Sequence, residues 1–213
     1  MRRTGRPIRR LRLNSKRCAA AIASLGEAAF DHPTLPGWTR RNLVAHLAAN
    51  GEAIGRLLRW ARTGEPTPMY ASTEQRGADI AAGARLSGTA LRIWFEHSAD
   101  ELAAEFAAMS PESWRAQVVT AQGRTVPASE TVWMRSREVL IHAVDLNAGT
   151  TFTDLPVAFL AALRDEVLLR RAGEGVADLR GSLADVAAYL TGRRTTGVTM
   201  ADGSPAPALG PWI

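Results

Sequence analysis

Glu138 and His142 stand four residues apart in the stretch 131–150, T-V-W-M-R-S-R-E-V-L-I-H-A-V-D-L-N-A-G-T. On a helix, side chains at i and i+4 lie one above the other. A carboxylate and an imidazole held this way can bind a divalent metal, or can form an ordinary helix-surface pair. The stretch reads as a helix, because Val132, Val139, Ala143 and Leu146 fall on one apolar stripe at about 100° per residue. Glu138, His142 and Asp145 lie on the border of that stripe. His46 borders a second stripe, made by Leu43, Leu47, Ile54, Leu57 and Leu58, with Asn50 on the same flank. Two imidazoles and one carboxylate from two helices match the ligand count of a catalytic Zn²⁺ site with a position left open. Helical bundles build such sites from side chains on facing helices. Asp145, one turn beyond His142, can accept an imidazole N–H as an outer partner or pair with an arginine. Spacing alone leaves both the metal reading and the bland one open. The other two of the four histidines, His32 in a proline-flanked turn and His97 at a helix end, read as surface residues.

The elements that must position these groups are mostly helical. Alanine is abundant and β-branched runs are few, which favours helix. Periodicity predicts a first helix over 14–30, with Ala21, Leu25 and Ala28 inward, and a second over 40–62, N-capped by Thr39 after the Pro36-Gly37 turn. A long third helix is expected over 73–97, with Ile80, Ala84, Leu91 and Trp94 inward. Ser98-Ala99-Asp100-Glu101 matches a capping box opening a shorter helix to 109. Residues 114–127 read as a small β-hairpin, and the fourth main helix follows from 129. Four long amphipathic segments imply an antiparallel four-helix bundle. Helices at 155–171 and 183–190 and a strand at 195–200 make a smaller unit. The expected organisation is thus a basic flexible leader at 1–13, a bundle at 14–150, and a small C-terminal α/β unit at 151–213 packed on the bundle.

Composition narrows the function classes. Arg2, Arg3, Arg6, Arg9, Arg10, Arg12, Lys16 and Arg17 precede Cys18 with no acidic residue among them, so the net charge of +5 belongs to this arm. Such an arm can touch nucleic acid or a membrane surface, or act as a targeting segment. A solvated leader is the simplest reading, and nucleic acid is not favoured as a partner. Cys18 is the only cysteine, so no internal disulfide forms, as suits a reducing cytoplasm. On an Ala-rich helix it reads as an inert buried thiol. No apolar run is long enough to span a membrane.

A family resemblance enters at the same residues. Pro36-Gly37-Trp38-Thr39 with Asn42-Leu43-Val44-Ala45-His46-Leu47 resembles the second-helix motif of the mycothiol-dependent maleylpyruvate isomerase family, relatives of the DinB-like metal-binding bundles. Arg62-Thr63-Gly64 and Pro68-Met69-Tyr70 resemble the segment that follows. Trp133-Met134-Arg135, Arg137-Glu138-Val139 and Ile141-His142-Ala143-Val144-Asp145-Leu146 resemble its fourth-helix motif. Ala188-Tyr189-Leu190-Thr191-Gly192-Arg193 and Pro207-Ala208-Leu209-Gly210-Pro211-Trp212 resemble its C-terminal motifs.

The resemblance implies a DinB-like bundle in which His46, Glu138 and His142 bind a divalent metal, zinc as the usual ion. It implies mycothiol as thiol cosubstrate, activated as a metal-bound thiolate, because a metal favours thiolate over thiol at neutral pH. The thiolate would attack a small electrophilic substrate, in cis-trans isomerisation of the maleylpyruvate type or in S-transfer. Arg193 becomes the candidate for gripping a substrate carboxylate, through its bidentate fork. Asp145 is the candidate outer partner, and Tyr70 and Arg76 are candidate substrate-binding residues. Trp38 and Trp133 read as core packing. The rival from another class is a metal- or ligand-binding sensor without turnover.

Overall fold

The structure, a computed structural model, describes residues 2–210 and 212, with side chains from residue 8 onward. The chain divides into two compact units, Met1–Gly149 and Thr150–Ile213. The fold class is as expected: mainly helical, with an antiparallel four-helix bundle in the first unit.

Helix α2 (Arg40–Thr63) is the axis of that bundle, buried on almost every face between Leu43 and Leu58. It opens at Thr39, whose backbone N–H and hydroxyl both donate to Asn42 Oδ1, at 3.0 and 2.8 Å. It ends at Gly64, where φ is 78° and the N–H donates to the Trp60 carbonyl at 2.8 Å. A left-handed residue at this place favours glycine. Helix α1 (Arg2–Ala23) packs on α4 (Gly88–Ala107) and α5 (Glu130–Asp145), and α2 packs on the same two. The four helices therefore close a ring around one core. The short helix α3 (Thr73–Gly83) lies against α2. The expected hairpin is present: β1 (Gln117–Val119) pairs antiparallel with β2 (Thr125–Pro127), Val118 opposite Val126. Both valines join Ile54, Leu57, Leu58, Leu102 and Phe106 at one end of the core.

Three expectations are corrected. The first helix begins at Arg2 rather than at residue 14, and Ile8 and Leu11 pack with the core, so residues 2–13 of the expected flexible leader belong to α1. The reason lies in the pattern: Leu11, Cys18, Ala21, Ile22 and Leu25 continue one buried stripe back through the basic arm. The same helix stops at Ala23, a separate 3-10 turn follows at Glu27–Asp31, and Ala28 is exposed. The third helix is two, broken at 84–87. Ser87, not Ser98, is the N-cap, accepting from the Ala90 N–H at 3.1 Å. Ser98 is buried mid-helix, its hydroxyl bonded back to the Phe95 carbonyl at 2.9 Å.

In the second unit, α6 (Val157–Arg170) packs on α7 (Leu183–Leu190). Strand β4 (Thr199–Met200) pairs with β3 (Leu179–Arg180), a partner too short to leave a period in the sequence. The buried Arg171 ties this unit internally, donating to the Leu190 carbonyl at 3.1 Å and the Gly210 carbonyl at 2.8 Å. No helix among the described residues is long and apolar enough to cross a membrane.

Gly83 sets how closely α3 approaches α2. A Cβ there would stand 2.5 Å from Trp94 and 2.9 Å from the Ala45 Cβ. The indole is anchored by its N–H to Glu52 at 2.6 Å, so it does not yield freely. Gly83→Ala is therefore expected to destabilise the fold by about 1–3 kcal/mol, despite a helix-propensity gain of up to about 1 kcal/mol. Urea unfolding measures it, and an unchanged midpoint would refute the tight-approach account.

Candidate metal centre

Helices α2 and α5 run antiparallel. Arg40, in the first turn of α2, reaches the end of α5 at Leu146 and Asn147; His46 meets Glu138 in mid-helix; and Leu47 and Asn50 meet Arg135 further on. This register brings His46, Glu138 and His142 together. Glu138 Oε2 lies 2.9 Å from His46 Nε2 and 3.4 Å from His142 Nε2. One donor atom from each lies within 4.8 Å of the others. The two imidazoles meet edge to face, their centroids 5.3 Å apart. Two donors on one zinc ion at about 2.1 Å in tetrahedral geometry sit roughly 3.4 Å apart. The donor set therefore fits a divalent cation in both chemistry and spacing.

The groups around the cluster set its protons. His142 Nδ1 lies 2.8 Å from Asp145 Oδ2, whose side chain is only 4% exposed. Its Nε2 is thereby turned to the cluster, as a ring nitrogen tied by its other N–H must be. Burial alone would lower the His142 pKa, but the hydrogen bonds to Asp145 and Glu138 outweigh it and raise the value to about 9. His46 behaves oppositely. Burial dominates and lowers its pKa, against the pull of Glu138. Burial would raise the Glu138 carboxyl, yet the hydrogen bonds from His142 and His46 hold it well below the usual carboxylate range. Arg76 Nη2 approaches His46 Nδ1 at 3.4 Å, and its guanidinium stands 5.7 Å from the Tyr70 ring centroid. Burial raises the Tyr70 phenol, opposed by the Arg76 charge.

The cluster and its neighbours thus gather His46, Glu138, His142, Asp145, Arg76 and Tyr70 from the sequence-level candidates. Trp38 belongs with them, its ring edge-on to His46 at 5.5 Å; reading it as core packing missed this wall of the site. The signal was its place just before the helix that carries His46. Arg193 lies in the second unit, just past α7, donating to the Thr191 carbonyl at 2.6 Å with its guanidinium 5.9 Å from the Trp212 ring centroid. His32 and His97 are exposed, as expected. Cys18 is fully buried, and burial pushes its thiol up to about 12, so it is no nucleophile.

Fold and site together define a class: an antiparallel helical bundle with a His-Glu-His donor cluster between two facing helices. Comparison with known proteins narrows this. The family profile described as the mycothiol maleylpyruvate isomerase N-terminal domain matches residues 11–147. The solved structure of a mycothiol-dependent maleylpyruvate isomerase is 39% identical, covers 98% of this chain and 97% of its own, and superposes with a TM-score of 0.91. A histidine-to-alanine mutant of that isomerase matches equally. Comparison with curated proteins gave no match. The chain belongs to the mycothiol-dependent maleylpyruvate isomerase family, a family of enzymes.

The two histidines are expected to titrate far apart in the metal-free protein, His142 near 9 and His46 below its ordinary 6.5. A folded-state pKa above the unfolded one stabilises most when the group is protonated in both states. The contribution of His142 is therefore full below about 6.5 and lost as pH rises through about 9. Asp145→Asn removes the carboxylate and should bring the His142 midpoint down. Histidine NMR titration reads both; a His142 midpoint unmoved by Asp145→Asn would exclude Asp145 as its partner.

Proposed function

We propose that this protein is a metal-dependent, mycothiol-using isomerase acting on a small cis-unsaturated acid of the maleylpyruvate type. The observation that carries the reading is the convergence of His46, Glu138 and His142 donor atoms within 4.8 Å, in a chain whose solved relative bears that name. These three residues would hold a divalent ion, with zinc as the best match to two imidazoles and one carboxylate. When bound, the ion supplies positive charge that favours the thiolate of mycothiol over the thiol at neutral pH. Addition of the sulfur to the double bond forms a C–S bond and leaves a C–C single bond free to rotate. Elimination then breaks the C–S bond, restores the double bond as trans, and returns the thiol. No oxidant or reductant is consumed. A thiol cosubstrate also suits a chain whose one cysteine is sealed in the core, and a cytoplasm that keeps thiols reduced.

The chain's own residues prepare this chemistry. A guanidinium can only donate, so Arg76 facing His46 Nδ1 leaves the imidazole hydrogen on Nε2, directed at Glu138. Were His46 to hold the ion through Nε2, its hydrogen would sit on Nδ1 and Arg76 would have to turn away. Arg76 and Tyr70 are then placed to meet an anionic group of substrate or thiol. Arg193, in the second unit, serves a substrate carboxylate through its bidentate fork.

Metal analysis of the purified protein should find about one zinc or similar ion per chain, and His46→Ala or His142→Ala should lose it and all but traces of activity. Folded wild type that takes up no metal from excess Zn²⁺ would sink the site. Arg193→Gln should raise KM for the acid about tenfold or more, as expected for a lost charged hydrogen bond, with metal content unchanged. Turnover of a panel of cis-unsaturated acids and thiol acceptors should require mycothiol. Thiol-independent turnover would overturn the mechanism, S-conjugate formation would make the enzyme a transferase, and metal binding with no turnover at all would favour a sensor.

A further inference from the structure

Arg135 is the largest fully buried side chain of the protein's described core, 0% exposed. It lies one turn before Glu138 on α5. Its Nη1 donates to the Leu47 carbonyl at 2.7 Å and to Asn50 Oδ1 at 2.8 Å, both on α2. Leu47 follows His46 directly, and Asn50 is one turn beyond it. The other donors, Nε and Nη2, have no hydrogen-bond partner, and among the described residues no carboxylate pairs with the guanidinium. Its surroundings are the Phe95 ring, with centroid 5.8 Å from Cζ, and Gly51, where a Cβ would stand 3.4 Å from Nη2 and 3.0 Å from the Ser98 hydroxyl.

Such a group is a poor device for stability. A buried charge that no carboxylate touches costs more than its hydrogen bonds return, even with the longer-range pull of Glu138, and apolar side chains of similar volume often hold a fold as well or better. What the guanidinium supplies is geometry. It grips α2 beside His46 while its own backbone carries Glu138. Arg40 makes the converse grip. It rises from α2, is buried, and donates from Nε to the Leu146 carbonyl at 2.6 Å and from Nη2 to the Asn147 carbonyl at 2.8 Å, just past the end of α5. The two arginines point in opposite directions across the same helix pair, and the His46–Glu138–His142 cluster lies between them.

We propose that Arg135 is a positioning residue, which with Arg40 sets the gap and register between α2 and α5 and so holds His46 against Glu138. The consequence for metal affinity rests on the metal reading above; the consequence for His46 does not.

The test uses the full-length protein as wild type, Arg135→Met and Asn50→Ala. The readouts are thermal unfolding of the metal-free form, Co²⁺ affinity with its visible absorption spectrum, and long-range ¹H–¹⁵N NMR of the histidine rings. Arg135→Met should unfold no lower than wild type, lose about tenfold or more in Co²⁺ affinity, change the Co²⁺ spectrum, and lose the His46 Nε2 signature of the bond to Glu138. Asn50→Ala should move the His46 signature and Co²⁺ affinity the same way, and decides the matter if Arg135→Met does not fold. A lowered unfolding temperature with the His46 signature and Co²⁺ spectrum unchanged would mark Arg135 as structural only and overturn the proposal. Wild type that binds no Co²⁺ sinks the metal reading by itself, and the clamp is then judged on the His46 signature alone.

Discussion

The Glu138 carboxylate, shared between imidazoles from two helices, is the contact on which the rest of the site depends. It requires α2 and α5 to lie at one separation and one register. Packed helices stand about 8–10 Å apart, depending on the side chains between them. A slide of one residue along either helix moves a side chain by about 1.5 Å along the axis and turns it by about 100°, which would separate His46 from Glu138. The bundle meets this demand with polar contacts as well as with leucines. Arg40 ends α5 by taking the carbonyls of Leu146 and Asn147, where a cation also complements the helix dipole. Apolar packing along α2, from Leu43 to Leu58, supplies the bulk of the burial without choosing the register so sharply.

Two histidines of one type, 5.3 Å apart, acquire opposite character from their outer neighbours. His142 faces Asp145 and is drawn to its charged form. His46 faces Arg76 and is held neutral in a buried place. The carboxylate between them stays ionised because both rings hydrogen-bond to it. Burial lowers both rings; the Asp145 carboxylate on α5 helps overcome it at His142, while at His46 burial prevails and Arg76 on α3 adds only a minor push the same way.

Much of this was legible in the sequence where a period was long and clean. The stripes of α2 and α5 placed His46, Glu138 and His142 on facing borders, and the hairpin at Val118 and Val126 followed from strand residues around a Gln122-Gly123 turn. The reading failed where a charge sat inside an apolar pattern. Arg135 falls between Val132 and Val139 on the very stripe used to identify α5, and a charged residue at such a position signals a buried clamp. The basic arm failed for the same reason, since Leu11 keeps the spacing of Cys18 and Ile22 among arginines. Ser98 imitated a cap because local motifs do not reveal whether the preceding residues are already helical; Ser87, beside Gly88, made the real break.

The sequence by itself determined the helix types, the faces they bury, and which titratable side chains border those faces, because period and composition act within a few residues along the chain. It also carried the motifs that identify the family. Only the tertiary structure decided that His46 meets Glu138 rather than passing it, that Asp145 lifts one histidine while burial lowers the other, and that Arg135 is buried with its Nε and Nη2 donors unused. Each of these depends on the register between helices remote in sequence. That register is the outcome of packing and desolvation over the whole bundle, which no local pattern contains.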